Sequence, residues 1–277
     1  MFKSGHKTFF LALLLVLLPA AAGAYVNDLM TRYSSANSLA EGNHNILFSD
    51  GISGIYYNPS RLVGLDHPSI LTAFSAKSNE TMFLNAVYGM PVKFLRASGF
   101  SVNLLYLNED SKNSLAPGLG FGTSFSVFEA GFSASLRYNL EQSASQQDFL
   151  FFKLGAAARI GVFRIGCVLE NEIDETNKTF FLARVQAGAS FLHDRVTVSA
   201  GFNQYFRLSF LPAVNVGCEV TPWKFITFGF NIEDWNPSFG FIFNSYPIKL
   251  CIAAWYHHSP KPASRVFDYS LSLTFRR

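Results

Sequence analysis

The sequence predicts an all-β protein, a transmembrane antiparallel β-barrel of about 14 strands that follows a separate N-terminal segment. Hydrophobic residues make up 49% of the 277 residues and charged residues only 15%, which excludes a disordered chain. Beyond the N-terminal leader, no apolar run approaches the ~20 residues of a membrane helix. From Ser69 onward, apolar residues alternate with small or polar ones, as in strands that face lipid on one side and a lumen on the other.

The first 24 residues predict a cleaved signal peptide. Lys3 and Lys7 form its charged end, Phe9–Leu18 its apolar core, and Ala22-Gly23-Ala24 a small-residue cleavage site. The alternative, a membrane anchor, would need a longer apolar core. We therefore expect a signal peptide at 1–24, a separate N-terminal segment at 25–68 and a barrel at 69–277.

A weak helical stripe in the N-terminal segment places Val26, Leu29, Met30 and Tyr33 on one face. Farther along, Asn58-Pro59 predicts a rigid turn, because proline has a fixed φ and disfavours a helical residue before it. We therefore expect a short amphipathic helix followed by an ordered turn. The helix could plug a lumen or lie against the mouth of the barrel.

The alternation is clear in the predicted ninth strand, where Val196, Val198, Ala200 and Phe202 alternate with Thr197, Ser199, Gly201 and Asn203. A soluble β-sandwich would also alternate, with its apolar face inside. Two features favour the membrane barrel. The polar face is rich in Gly, Ser and Asn, and aromatic residues gather near strand ends as they do at membrane interfaces.

The predicted strands are 69–76, 81–90, 98–107, 117–127, 128–140, 149–160, 163–173, 180–191, 195–206, 210–221, 224–233, 238–244, 248–257 and 265–275. Connections after odd strands, such as Asn108–Ala116, Glu141–Asp148 and Asp174–Thr179, are long and polar, whereas most of those after even strands are tight. Bacterial barrels alternate external loops with periplasmic turns in this way. Pro91–Ala97 is too long for a turn, which leaves a count of about 12 strands as an alternative.

The segment Tyr56-Tyr57-Asn58-Pro59-Ser60-Arg61-Leu62 resembles the YNPAGLA segment in the hatch of FadL-type outer-membrane transporters. PorV-like proteins and uncharacterised spirochaete (treponemal) relatives share it. Here Ser60 replaces the usual Ala and Arg61 the usual Gly. The resemblance implies that residues 25–68 form an N-terminal plug (hatch) segment inside the lumen of a barrel in the outer membrane of a diderm bacterium. Tyr56, Tyr57, Asn58 and Pro59 would form the hatch motif.

For function, the resemblance implies uptake of hydrophobic small molecules such as long-chain fatty acids, with outer-membrane lipids around the barrel. The alternative is a non-transporting structural or secretion-scaffold barrel, as in PorV-like members. The last predicted strand ends in Phe275 and resembles the signal read by the barrel-assembly machinery, although Arg276-Arg277 follow it.

Motifs for catalysis or cofactor binding are not apparent. The sequence contains no phosphate loop, no His/Cys metal cluster and no Gly-x-Ser-x-Gly elbow, so no enzyme, metal site or cofactor is predicted. His257-His258 beside Ser259 admits a barrel hydrolase, but interfacial histidines at a strand end are the preferred interpretation. The net charge of +3, without a basic stripe, does not indicate nucleic-acid binding.

Five basic residues share the predicted inward faces of four neighbouring strands: Arg137, Lys153, Arg159, Arg164 and Arg184. Glu129, Glu170 and Glu172 share those faces. The cluster could bind the carboxylate of a fatty acid or similar anion, with Arg as a bidentate partner. The preferred interpretation is an ion-pair network in the lumen that holds plug to wall, since inward charge is tolerated where ion pairs satisfy it.

Overall fold

The computed structural model is a closed antiparallel barrel of 14 strands, in which each strand pairs with the next and β1 pairs with β14. It describes residues 45–48, 51–76, 82–92, 97–109, 112–140, 149–173, 179–206, 212–233, 236–258 and 265–276. The count of 14 is confirmed and the alternative of 12 is wrong. The predicted signal peptide and the stripe at 26–33 lie outside the described residues.

The strands in chain order are β1 Ser69–Ala76, β2 Met82–Pro91, β3 Ser98–Glu109, β4 Lys112–Phe125, β5 Phe128–Asn139, β6 Phe149–Ile160, β7 Phe163–Ile173, β8 Thr179–Phe191, β9 Val196–Tyr205, β10 Ala213–Trp223, β11 Ile226–Glu233, β12 Asn236–Ser245, β13 Ile248–His258 and β14 Arg265–Arg276. Connections such as 126–127 and 161–162 hold two residues. We call the end that carries these short connections the turn end and the opposite one the loop end.

The largest deviation from the predicted strands is at the loop end of β3 and β4. The sequence predicts a loop at Asn108–Ala116, whereas the two strands continue as a hairpin through Glu109 and Lys112. Polar side chains tie this extension together, since the Tyr106 hydroxyl and the Asn108 amide both donate to Asn113 Oδ1, at 2.5 and 2.8 Å. Polar composition indicated a loop because it does not distinguish a loop from strands that extend beyond an apolar band.

The two faces of the wall have the predicted chemistry. On β9, Val198 is 41% exposed on the outer surface, while Thr197, Ser199 and Asn203 are buried on the inner surface. The same division repeats around the barrel, with Ile70, Leu84, Leu104, Phe132, Phe228 and Leu271 among the exposed outward residues. A closed sheet with an apolar exterior excludes the soluble sandwich and satisfies its own backbone hydrogen bonds, as a lipid environment requires. No helix in the described part of the chain is long and apolar enough to cross a membrane.

Residues 45–48 and 51–68 precede the wall, and we call them the N-terminal segment. Helix α1 spans Asn45–Phe48 and helix α2 spans Gly54–Tyr57, with 3-10 turns at Gly51–Ser53 and Pro59–Gly64. The second 3-10 turn contacts β3, β4, β5 and β6, and α1 contacts β7 and β8. The segment therefore lies against the inner face of this side of the barrel, and β1 follows at Ser69.

Candidate functional site in the barrel lumen

The Asn58-Pro59 turn is the centre of the N-terminal segment. Helix α2 ends because Asn58, which precedes proline, takes an extended conformation with φ −150° and ψ 102°. Its fully buried side chain accepts from the Ser60 amide at 3.1 Å and donates to the Ile46 carbonyl at 2.7 Å and the Ala156 carbonyl at 3.4 Å. One amide group thus caps the following 3-10 turn, holds α1 and contacts β6.

The two tyrosines before the turn are buried. Tyr56 and Tyr57 pack edge to face, with ring centroids 6.5 Å apart. The Tyr56 hydroxyl donates to Asn85 Oδ1 on β2, and burial raises the pKa of this phenol well above its ordinary value of about 10. Both rings belong to an apolar cluster between segment and wall, formed by Ile52, Ile55, Tyr56, Tyr57, Leu62, Leu65, Leu71, Ala73 and Val87.

Glycines in the wall make room for the segment. A Cβ at Gly131 would lie 2.5 Å from the Ser60 nitrogen, and one at Gly155 would lie 2.9 Å from Pro59 Cδ. Inward glycines on β3, β4 and β7 likewise lie under the segment: Gly99, Gly120, Gly122 and Gly166. Because side chains at these positions would overlap the segment, the wall has a seat matched to the Asn58-Pro59 turn.

Arg61, which departs from the YNPAGLA pattern, has a partner in the wall. Its Nη1 pairs with Glu129 Oε2 on β5, and both side chains are largely buried. Ser133, also on β5, donates to the Ile55 carbonyl at 3.0 Å. The segment is therefore attached to β5 by an ion pair and a hydrogen bond, so one part of the predicted charged group does link segment and wall.

Three of the predicted charged residues form a compact buried triad. Glu170 accepts from Lys153 Nζ through Oε2 and from Arg184 Nε through Oε1 at 2.6 Å. Lys153 and Glu170 are also the last ladder partners between β6 and β7 toward the loop end. Beyond them, the Asn171 side chain bridges the seam by accepting from the Phe152 amide at 2.6 Å and donating to the Leu150 carbonyl at 2.7 Å.

The other predicted basic residues lie elsewhere. Arg159 and Arg164 face each other across the β6–β7 turn at the turn end. Arg164 donates to the Leu47 carbonyl at 3.1 Å and lies 4.6 Å from the centre of the Phe48 ring. Arg137 is on β5 toward the loop end, where its ladder partner is Phe149. The predicted single cluster is therefore divided between three levels of the barrel.

Sequence reasoning missed an inward apolar cluster that extends from the loop-end half of β2 and β3 to the turn-end half of β12 and β13. Phe83, Leu105, Leu107, Ala116, Ile242, Cys251, Ala253 and Trp255 form it, and all are buried. A signal was present in β2 and β3, where Phe83-Leu84 and Leu104-Leu105 are adjacent apolar pairs that cover both faces of a strand. Strict alternation, the pattern that was sought, conceals such positions.

The fold and lumen define a class, the closed 14-strand antiparallel barrels with an apolar exterior and a largely polar interior. Among solved structures, TodX, the toluene transporter of Pseudomonas putida, matches with a TM-score of 0.60 at 10% identity, covering 87% of this chain and 96% of TodX. The likeness concerns the fold and contains nothing specific to PorV-like or spirochaete proteins. No protein-family model matches the sequence, and no curated protein matches it.

Two further structures match with lower scores. CdiB from Acinetobacter baumannii has a TM-score of 0.49 at 10% identity, covering 76% of this chain and 60% of CdiB. A Rh. blastica porin variant has a TM-score of 0.45 at 7% identity, covering 76% of this chain and 99% of the porin. This chain thus spans less than two thirds of the length of CdiB.

Proposed function

We propose that this barrel resides in the outer membrane of a diderm bacterium and takes up hydrophobic small molecules such as long-chain fatty acids. The observation that carries the proposal is the inward apolar cluster that contains Phe83, Leu105 and Trp255. Inward apolar side chains are unfavourable where they meet water, and these are buried in this structure. They would form an apolar path for a ligand once the groups that cover them move aside. The proposal involves no catalytic step.

The apolar lining continues toward the N-terminal segment. Phe83, Asn85 and Val87 point inward in succession along β2, Phe83 in the inward apolar cluster and Val87 in the cluster around the segment. Asn85 lies between the two clusters and accepts the hydroxyl of Tyr56. An apolar ligand that enters from the loop end would meet the Tyr56–Asn85 pair before the Asn58-Pro59 turn, so this pair is the proposed gate.

The fold comparison also supports a role in the transport of hydrophobic molecules. TodX is a toluene transporter and shares the overall barrel. In the proposed orientation the turn end is periplasmic, the N-terminal segment is the plug, and the barrel-assembly machinery inserts the chain with its apolar face toward outer-membrane lipid.

Uptake of a labelled long-chain fatty acid into vesicles that contain the purified barrel tests the proposal. Leu105→Asn polarises the inward cluster, and Leu104→Asn makes the same change on the adjacent outward residue, which is 46% exposed. We expect uptake to fall severalfold in the inward variant alone, with both barrels shown to be folded by heat-modifiable gel mobility. Equal uptake by the two variants, or uptake no faster than in empty vesicles, would refute transport through the lumen.

A structural or secretion-scaffold barrel is the second candidate, and the close fit of the segment over Gly131 and Gly155 favours it. Asn58→Ala combined with Pro59→Gly loosens the turn and distinguishes the two functions. A gating plug predicts a changed uptake rate in a folded, inserted barrel. An unchanged rate would leave the turn as an anchor, and loss of the barrel would show that segment and wall fold as one unit.

A further inference from the structure

Two arginines at the turn end face each other across a strand pair. Arg159 on β6 and Arg164 on β7 are direct ladder partners next to the turn 161–162, and both belong to the inward-facing rows of their strands. Like charges directly opposite one another on one face destabilise a sheet. An anion bound between the two guanidinium groups would offset this repulsion.

Neither arginine is neutralised by an ion pair within the described residues. The polar contacts of Arg159 and Arg164 are to main-chain oxygens, Gly161 O at 3.5 Å and Leu47 O at 3.1 Å respectively. Arg159 is exposed and Arg164 half-buried, so each keeps donors that can turn toward a ligand.

A cavity of about 410 Å³ opens beside the pair. The turn residues Leu192, His193 and Asp194 close its other side, with Val162, Ser190 and Phe191 completing the lining. Its size is within the range of small-molecule sites, and its wall combines apolar side chains with cationic ones. That combination suits a ligand with an anionic head and a short apolar body.

The surrounding charge is positive on balance. Arg164 is within electrostatic range of Arg61 and Arg159 as cations and of Glu129 and Asp194 as anions. The Glu129 carboxylate is already bound by Arg61. Asp194 then remains as the single carboxylate of this group facing the arginine pair, which leaves an excess of cationic charge at the cavity.

We propose that Arg159 and Arg164 form an oxyanion-binding site at the turn-end mouth of the lumen, which takes a carboxylate or phosphate group through their guanidinium donors. Arginine pairs with such groups through two parallel hydrogen bonds. The buried triad is a poorer candidate, because Glu170 already occupies donors of both Lys153 and Arg184. The site goes beyond the transport proposed above, and its binding test does not depend on uptake.

Equilibrium binding of radiolabelled decanoate to the purified barrel in a non-ionic detergent tests the site, with empty micelles as background. Arg159→Gln combined with Arg164→Gln should weaken decanoate binding at least tenfold. The matched control is Lys224→Gln, which removes one exposed positive charge at a different connection of the turn end and should stay within about twofold of the unaltered protein. Labelled decanol, which lacks the anion, should bind more weakly than decanoate to the unaltered protein and equally to the double variant.

Inorganic phosphate distinguishes the source of the anion. If phosphate displaces decanoate from the unaltered protein, a free oxyanion suffices for binding. If decanoate binding depends on the two arginines and phosphate does not compete, the ligand is an amphiphile whose chain contributes. Absence of decanoate binding, or binding that is equal in the double variant, would overturn the proposal.

If the double variant folds poorly, the stability of the single variant Arg159→Gln provides a second test of the site. Without added anion, Arg159→Gln alone should raise the urea midpoint of unfolding, because it removes the repulsion across the ladder. Added decanoate, below its micelle concentration, should raise the midpoint of the unaltered protein more than that of Arg159→Gln. A lower midpoint for Arg159→Gln in anion-free buffer would mean that the pair is structural, and the site would be refuted.

Discussion

Two sides of this barrel share one exterior and differ inside. On the β3–β8 side, the inward rows carry glycines and charged residues that meet the N-terminal segment, as Gly155 meets Pro59 and Glu129 meets Arg61. On the β9–β14 side, the inward rows carry mainly hydroxyl and amide side chains, apart from Lys249 and the part of the inward apolar cluster that lies on β12 and β13. Thr197, Ser199, Asn203, Asn215, Thr227, Asn231, Ser238, Ser270, Ser272 and Thr274 are buried there.

Glycine by itself does not distinguish the two sides. Gly201 on β9 also points inward, but the atoms nearest to an added Cβ belong to the wall, among them the Val185 carbonyl and Asn215 Oδ1. Beneath the segment, the nearest atoms belong to residues far away in sequence. Outward residues are apolar on both sides of the barrel because they face lipid. The residue type at an inward position instead depends on which part of the protein packs against it.

The largest effect is expected in the buried triad. Glu170→Gln removes the carboxylate that pairs with both Lys153 and Arg184, and breaking a buried ion pair in this way costs about 3–5 kcal/mol of unfolding free energy. Urea unfolding of the refolded barrel measures the loss. Glu219→Gln, a half-buried inward position on the far side, should cost under about 1 kcal/mol. Similar losses of unfolding free energy in both variants would show that the two sides of the barrel do not differ in this respect.

A second test compares the two faces of β9. Val198→Arg places a charge toward lipid and should cost about 2–4 kcal/mol near the membrane midplane. Ser199→Arg points into a polar neighbourhood, where the Gln186 amide donates to Ser199 Oγ at 2.9 Å, and should be tolerated better. Yield of heat-modifiable barrel reports both variants. Equal damage would contradict the membrane orientation of this side.

A third test examines the fit of the segment. Gly155→Val inserts a side chain where Pro59 and Asn58 lie, and overpacking of this kind costs about 1–3 kcal/mol. We expect the segment to leave its seat and Arg61 to become cleavable by trypsin while the wall stays closed. Ala156→Val, on the adjacent outward residue, should leave the cleavage pattern unchanged. If Arg61 stays resistant to trypsin in Gly155→Val, the wall accommodates the added side chain without displacing the segment.

The smallest effect is expected at Tyr56, which links the segment to β2. Tyr56→Phe removes the hydroxyl that donates to Asn85 and should cost about 1 kcal/mol. Burial raises the pKa of this phenol in the folded state. The contribution of the neutral phenol to folding stability is therefore complete below about pH 10 and declines as the pH rises further. Unfolding midpoints measured from pH 8 to pH 11 should therefore fall less steeply above about pH 10 in Tyr56→Phe than in the unaltered protein. Parallel curves would mean that Tyr56 titrates normally.

The sequence by itself determined the fold class, a count of about 14 strands with 12 left as an alternative, and the facing of side chains on the clearly alternating strands. These follow from local rules, since a strand that borders lipid must alternate and a closed barrel must satisfy every backbone group. The alternation of Val198 with Ser199 was therefore sufficient to assign lipid and lumen on β9. The extended conformation of Asn58 was likewise predictable, because the proline that follows restricts it.

The tertiary structure alone decided which inward residues meet. Period two places Arg159, Arg164, Lys153 and Arg184 on one surface but does not specify their height along the barrel, which depends on the register of each strand pair. Register brought Lys153 opposite Glu170 and Arg159 opposite Arg164, and so separated an ion-paired triad from two arginines without a carboxylate partner among the described residues. The Tyr56–Asn85 and Asn58–Ala156 contacts join residues 29 and 98 positions apart, a separation at which no local pattern operates.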